Sequence, residues 1–167
     1  MRVSAEIRYD DVDPVRVFAM IVDPAFQEAK CAATGSVEHE VDVSVHDNGG
    51  ATVISRRTMP THHVPDFVRS FLGPTLQLIE TQEWHPAAGD GTRTGTITVQ
   101  IHGAPVRFTG SVALAGAGRG TLQPIEGEIK ASVPLVGGRI EKAAEPAVLA
   151  AVRVEQRTGL AWLAEHA

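Results

Sequence analysis

The sequence has a single cysteine, few aromatic residues and no long apolar run. Its one cysteine, Cys31, cannot form an intrachain disulfide, which favours a reducing compartment. Wholly apolar runs such as Val17 to Val22 are too short to span a bilayer, and residues 1–11 lack the apolar core of a signal peptide. We therefore expect a cytoplasmic protein without a transmembrane segment.

Basic residues are also few, and they form no run. The 15 Lys and Arg residues are outnumbered by 20 Asp and Glu, giving a formal net charge of -5, so we expect neither nucleic acid nor an anionic membrane as the main partner. Apolar residues make up 43% of the chain and charged residues 21%, which is an ordinary globular composition. A chain of 167 residues can bury a real core, so we expect one domain over residues 1–167.

Two periodicities along the chain predict an α+β fold. Alternation of apolar and polar residues predicts seven strands, at 2–9, 36–45, 51–59, 75–85, 93–102, 105–114 and 121–133. Apolar spacings of three and four predict short helices at 14–22, 24–34 and 64–72 and a long helix over the last thirty or so residues. Asp13-Pro14 and Asp23-Pro24 are typical helix starts, and Asp47 to Gly50 is a hairpin turn. The register of residues 75–85 is ambiguous.

The connections between the predicted strands are too short for parallel pairing, so we expect one curved antiparallel sheet with the long C-terminal helix across its concave face. The helical projection places one stripe toward that sheet: Ile140, Ala144, Ala147, Val148, Ala151, Val152, Gly159 and Trp162. Pro146 is expected to kink or restart this helix, because it lacks a backbone donor. Residues 115–120 are expected to form a hairpin loop.

This order of elements resembles the START-related, helix-grip superfamily, which includes lipid-transfer domains and aromatic polyketide cyclases. The most specific residues are Val22-Asp23-Pro24-Ala25-Phe26 and Val133-Pro134-Leu135-Val136-Gly137-Gly138, which are similar to those of an uncharacterised bacterial family within it. The resemblance covers nearly the whole chain. It implies a helix-grip fold, with a cavity for a hydrophobic ligand between the sheet and the C-terminal helix.

Three glycines, Gly95, Gly110 and Gly127, fall at inward-facing positions of their strands. Missing side chains beneath an alanine-rich helix would leave volume for a ligand. The alternative is that each glycine marks a bulge or bend that curves the sheet around the helix. The sequence does not distinguish these two interpretations.

Glu155 is the one charged residue within the apolar stripe of the C-terminal helix. It lies between Val152 and Gly159 on the projection, so a straight helix points it at the sheet. Burying an ionised carboxylate there costs free energy unless the carboxylate is paired with a cation or hydrated. Three outcomes stay open: a salt bridge with an arginine such as Arg56, Arg57 or Arg107, a wet cavity mouth, or a polar anchor for a ligand.

The remaining candidates are a helix and two residue pairs. The helix at 64–72 is either a lid over a cavity entrance or a cap on one end of the core. Neighbours on a strand face opposite sides, so either one residue of Arg56-Arg57 points into the cavity or the pair lies at a solvated edge. His62 and His63 have no third ligand at a fixed spacing, and no Gly-x-Ser-x-Gly occurs, so no metal site, cofactor or catalytic residue is predicted.

Together these observations predict the binding or transport of a small hydrophobic or amphipathic ligand, lipid-like or polyketide-like, between the sheet and the C-terminal helix. The predicted ligand-binding residues are Phe67, Phe71, Ile97, Phe108, Gly110, Ile125, Val148, Val152 and Glu155. Two alternatives stay open. One is a cyclase-like enzyme that uses the same cavity, and the other is a protein-interaction module with a filled core.

Overall fold

The computed structural model describes residues 1–167 and has its elements in the predicted order. They are β1 (Arg2–Tyr9), α1 (Pro14–Ile21), α2 (Pro24–Ala33), β2 (Glu38–Val45), β3 (Ala51–Pro60), α3 (Asp66–Leu72), β4 (Thr75–Trp84), β5 (Arg93–Ile101), β6 (Val106–Ala117), β7 (Gly120–Ala131) and α4 (Gly137–Glu165). None of the four helices is both long enough and apolar enough to cross a membrane.

The seven strands form one antiparallel sheet in the order β1-β7-β6-β5-β4-β3-β2. Strands β2 to β7 follow one another as a meander, and β1 pairs with β7, placing Arg2 opposite Glu128 and Tyr9 opposite Thr121. Helix α4 packs mainly against β1, β7 and α2. The predicted helix-grip α+β fold is thereby confirmed.

The starts of α1 and α2 depend on the two aspartates recognised in the sequence. The Asp13 carboxylate accepts a hydrogen bond from the backbone N–H of Arg16, and the Asp23 carboxylate accepts one from Ala25. Each side chain satisfies a backbone donor that the first helical turn leaves free. These two caps fix the bend that lays α2 beside α4.

The hairpin between β6 and β7 is tighter than predicted. The strands pair up to Ala117 and Gly120, so only Gly118 and Arg119 form the turn. Gly118 has φ +59°, which glycine adopts without a steric cost. The expected loop over 115–120 is therefore wrong in extent, because ladder pairing outweighs the weak strand propensity of Ala115 to Ala117.

Helix α4 corrects two expectations. It does not restart at Pro146 but continues from Gly137 to Glu165 with the proline inside it, on the exposed side, where water can serve the backbone carbonyl that the proline leaves unpaired. Ala147 and Ala151 are exposed rather than inward-facing, so the inward stripe is narrower than predicted. The buried residues of this helix are Gly137, Ile140, Glu155, Gly159 and Leu163.

Two apolar clusters make up the core. The larger one joins the sheet to α1, α2 and the C-terminal half of α4, and the smaller one joins Val68 of α3 to Ala131 and Ile140. Four inward-facing apolar side chains on β3, β4 and β5 belong to neither cluster and are only half-buried: Met59, Leu76, Leu78 and Ile101. The candidate site lies along this boundary.

Candidate functional site

Polar side chains occupy inward positions on three strands of the sheet. On β3 they are Ser55 and Arg57, on β4 Glu80 and Gln82, and on β7 Gln123, and all five are buried. Each of them alternates with an outward-facing neighbour, as a pleated strand requires. The strand pattern that builds the core thus also places polar groups inside it.

Lys30 of α2 lies at the centre of these polar groups and is only 3% exposed. Its Nζ donates to Glu80 Oε1 at 3.0 Å and to Glu155 Oε2 at 3.2 Å, so it joins the sheet to α4. Arg57 Nη2 donates to the other oxygen of Glu80 at 3.2 Å. Two buried cations therefore face two buried carboxylates. We call Lys30, Arg57, Glu80 and Glu155 the buried charge cluster.

Neutral side chains extend the buried charge cluster in two directions. The Gln82 amide donates to Glu80 at 2.8 Å and accepts from the Trp84 indole N–H at 3.0 Å. The Gln123 amide donates to Glu155 at 3.2 Å. Each carboxylate thus has both a cation and an amide donor, which offsets part of the cost of removing its charge from water.

Two members of the cluster, Glu80 and Lys30, are held in their ionised forms. Burial alone raises the pKa of Glu80, but Lys30 and Arg57 outweigh it and lower the pKa from 4.5 to about 2. Burial alone lowers the pKa of Lys30, but Glu155 and Glu80 outweigh it and raise that pKa above its usual value. Glu80 is therefore an anion and Lys30 a cation at neutral pH.

The lowered pKa of Glu80 predicts a loss of stability in acid. The stabilisation is fully present above pH 4.5 and is lost as the pH falls from 4.5 toward about 2. We expect the loss that belongs to Glu80 to be about 3 kcal/mol. It is measured by urea unfolding of the wild type and Glu80→Gln across this range, in which the variant should show a shallower pH dependence. Glu83→Gln, exposed on the same strand, is the control, and an unchanged slope in Glu80→Gln contradicts the prediction.

The structure distributes the predicted ligand-binding residues over three environments. Ile97, Phe108 and Ile125 are buried in the larger core cluster, and Val148 and Val152 are half-buried against it. Glu155 lies in the buried charge cluster, as the inward orientation predicted from the helical projection requires. At the other end of the interior, Phe67 packs beneath the Arg139 guanidinium, 4.3 Å from the ring centroid, and Phe71 is 60% exposed.

The glycines occupy places of close approach rather than open space. A Cβ on Gly110 would lie 2.2 Å from the carbonyl oxygen of Glu126, and one on Gly95 would lie 2.4 Å from that of Glu83. A Cβ on Gly127 would lie 2.5 Å from the Phe108 ring, which fills the volume next to it. Of the two interpretations left open by the sequence, the structure favours close packing of backbone and ring at these positions.

A cleft lies beneath α3, at the end of β4 and β5, and half of its ten lining residues are polar or glycine. Its volume is about 330 Å³, and its apolar lining includes Phe71, Leu72, Leu76 and Ile101. Ile101 pairs across the sheet with Leu78, which in turn pairs with Arg57 of the buried charge cluster. Along the inner face of the sheet, apolar side chains are therefore followed by charged ones within a few residues. The exposed Phe71 lies at the apolar end of this series.

The buried charge cluster was found only in part from the sequence. The sequence identifies Glu155 and Arg57 of this cluster, but it does not identify Lys30 and Glu80, nor the neighbouring Gln82 and Gln123. Of the three outcomes left open for Glu155, the structure shows a salt bridge, but the partner is Lys30 rather than an arginine, and Arg57 binds Glu80 instead. No group of three or more His, Cys, Asp or Glu side chains is placed to hold a metal ion.

Comparisons with known proteins agree with this architecture. A family model described as "Protein of unknown function (DUF2505)" matches residues 4–163. The uncharacterised protein Rv0481c of Mycobacterium tuberculosis is 26% identical over 160 residues, covering 87% of this chain and 90% of its own length. Human STARD10 is similar in structure with a TM-score of 0.58 at 8% identity, over 99% of this chain and 66% of that one. The Zhui aromatase/cyclase of Streptomyces sp. R1128 gives a TM-score of 0.54 at 8% identity, over 96% of this chain and 90% of that one. The START-related fold predicted from the sequence is thus shown.

Proposed function

We propose that this chain, which belongs to the DUF2505 family of proteins of unknown function, binds a small hydrophobic or amphipathic molecule between its sheet and helix α4. The ligand class is lipid-like or polyketide-like, and residues 1–167 act as one START-like domain. Support comes from the fold, which is similar to that of a START protein and of an aromatase/cyclase. It also comes from the interior, in which half-buried apolar side chains lie beside the buried charge cluster.

The observation that carries the proposal is the uneven burial of α4. Ile140 and Glu155 are buried, but no residue from 141 to 154 is, although Ala144, Val148 and Val152 face inward. Facing side chains on the sheet near α3, such as Leu78 and Ile101, are half-buried too. Apolar side chains that a filled core would bury completely are thus left partly accessible along the middle of the helix.

A ligand in this region would gain its affinity from apolar burial. Each methylene removed from water contributes roughly 0.8 kcal/mol before the cost of association is subtracted. We propose that Phe67 and Phe71 of α3 border the entrance and that α3 is the lid a ligand displaces. In this arrangement Val148 and Val152 contact the ligand from above, and Ile97, Phe108 and Ile125 form the packed layer behind it.

A fluorescence titration with Nile red tests this proposal. We expect saturable binding to the wild type and an affinity at least about tenfold lower in Val152→Trp, because the indole would occupy the ligand volume. Leu160→Trp, which places the same side chain on the exposed face of the same helix, should bind like the wild type. Circular dichroism confirms that each variant is folded.

Two outcomes contradict the proposal. One is the absence of saturable Nile red binding to the wild type, which would favour a protein-interaction module with a filled core. The other is equal affinity in the wild type and in a folded Val152→Trp variant, which would place the probe elsewhere on the surface.

A further inference from the structure

Four buried polar atoms around the buried charge cluster have no hydrogen-bond partner in the protein. They are Tyr9 Oη, Ser55 Oγ, Arg57 Nε and Gln123 Oε1, on side chains between 0% and 5% exposed. An unmade hydrogen bond on a buried group is costly, so native proteins seldom leave several together. Their concentration in one part of the interior indicates a place where a polar group from outside the chain can bind.

Two of these atoms lie beside the apolar surface that leads in from α3. Ser55 and Arg57 are two residues apart on the inward face of β3, so their side chains point the same way. Arg57 pairs in register with Leu78, and Ser55 pairs with Glu80. A molecule with its apolar part on Leu78 and Ile101 would therefore have its inner end at Arg57 and Ser55.

We propose that the ligand carries an uncharged oxygen group, a hydroxyl or carbonyl, which is held by Arg57 Nε–H and the Ser55 hydroxyl. This inference rests on the proposed function, since it specifies the polar end of the same ligand. Tyr9 and Gln123, on the far side of Glu155, offer a hydroxyl and an amide oxygen for a second oxygen group of a longer ligand.

The charge balance of the site excludes an ionic head group. The positive charges of Lys30 and Arg57 are already matched by Glu80 and Glu155, at distances of 3.0 to 3.2 Å. A carboxylate or phosphate would compete with Glu80 for Arg57 and would add an unmatched negative charge to a buried site. An ammonium group would add an unmatched positive charge beside Lys30 and Arg57. The ligand class is thus an apolar alcohol, phenol or ketone rather than a fatty acid or phospholipid.

Calorimetric titration with naphthalene, 1-naphthol and 1-naphthoate tests this inference, because the three probes share one apolar body. At about pH 7 we expect 1-naphthol to bind more tightly than naphthalene and 1-naphthoate to bind most weakly. Ser55→Ala and Arg57→Lys should each lower the affinity for 1-naphthol about three- to tenfold, the effect of one hydrogen bond, and leave that for naphthalene unchanged. Arg57→Lys keeps the positive charge beside Glu80, and Ser111→Ala on the exposed face of β6 is the matched control.

Either of two results overturns the inference. If 1-naphthoate binds more tightly than 1-naphthol, the site recognises an anion. If Ser55→Ala leaves the preference for 1-naphthol over naphthalene unchanged, water or the neighbouring Cys31 thiol serves the Ser55 hydroxyl instead of a ligand. Both results are compatible with Nile red binding, whereas a wild type that binds neither Nile red nor naphthalene contradicts the proposed function itself.

Discussion

Replacing Lys30 with methionine is expected to lower the free energy of unfolding by about 3–5 kcal/mol. The substitution keeps much of the side-chain volume but removes the cation that lies 3.0 Å from Glu80 and 3.2 Å from Glu155. Arg57 would still pair with Glu80, but Glu155 would lose its cation and the site would carry an unmatched negative charge. Urea unfolding at neutral pH measures the loss.

The matched control for this substitution is Lys142→Met, an exposed lysine of α4, which should change stability by no more than about 0.5 kcal/mol. Adding Glu155→Gln to Lys30→Met should recover part of the loss, because it restores equal numbers of buried positive and negative charges. A cost below about 1 kcal/mol for Lys30→Met would show that water reaches the two carboxylates and that the cluster is not sealed.

The buried charge cluster also explains why the register of one strand could not be predicted from the sequence. In β4, Leu76 and Leu78 face inward together with Trp84, but the two inward positions between them are Glu80 and Gln82. Polar residues at those positions break the alternation on which a strand's inward face is recognised. The register was ambiguous in the sequence because the candidate site lies there.

The rest of the fold was predictable because local signals and global packing agree. Asp13 and Asp23 cap the helices that they were expected to start, and the alternating segments pair in the expected meander. Such agreement between levels is typical of parts of a protein that serve only the fold. One exception was the extent of the β6–β7 hairpin, where ladder pairing outweighs local propensity. The other was the course of α4 through Pro146, which lies on the exposed side, where water can serve the freed carbonyl.

The site itself needed the structure. Glu155 was recognisable because a charge interrupts an apolar stripe, and the same criterion on β3 and β7 would have found Ser55 and Gln123. Lys30 is different, because its burial depends on how α2 lies over β3 and α4, and the sequence does not determine that placement. The partner of Glu155 could therefore not be identified by reasoning from strand positions alone.

Phe108→Ala is expected to lower the free energy of unfolding by about 3–5 kcal/mol, the usual cost of removing a buried aromatic ring. Phe108 is 5% exposed, and its ring fills the space that Gly127 leaves on the neighbouring strand. Neither glycine of the facing pair, Gly110 and Gly127, has a side chain that could move into the cavity. Urea unfolding measures the loss, and Phe71→Ala, the same change at a 60% exposed site, should cost no more than about 0.5 kcal/mol.

The cavity left by Phe108→Ala also distinguishes an accessible interior from a closed one. If the middle of α4 admits apolar molecules, as the half-burial of Val148 and Val152 indicates, naphthalene should occupy the new volume and raise the melting temperature of the variant more than that of the wild type. The added stability follows from binding to the folded state alone, so it should increase with naphthalene concentration. A variant that loses the expected stability but gains none from naphthalene would show that the core around Phe108 has no path to solvent. The ligand proposal would then have to rely on the cleft beneath α3 alone.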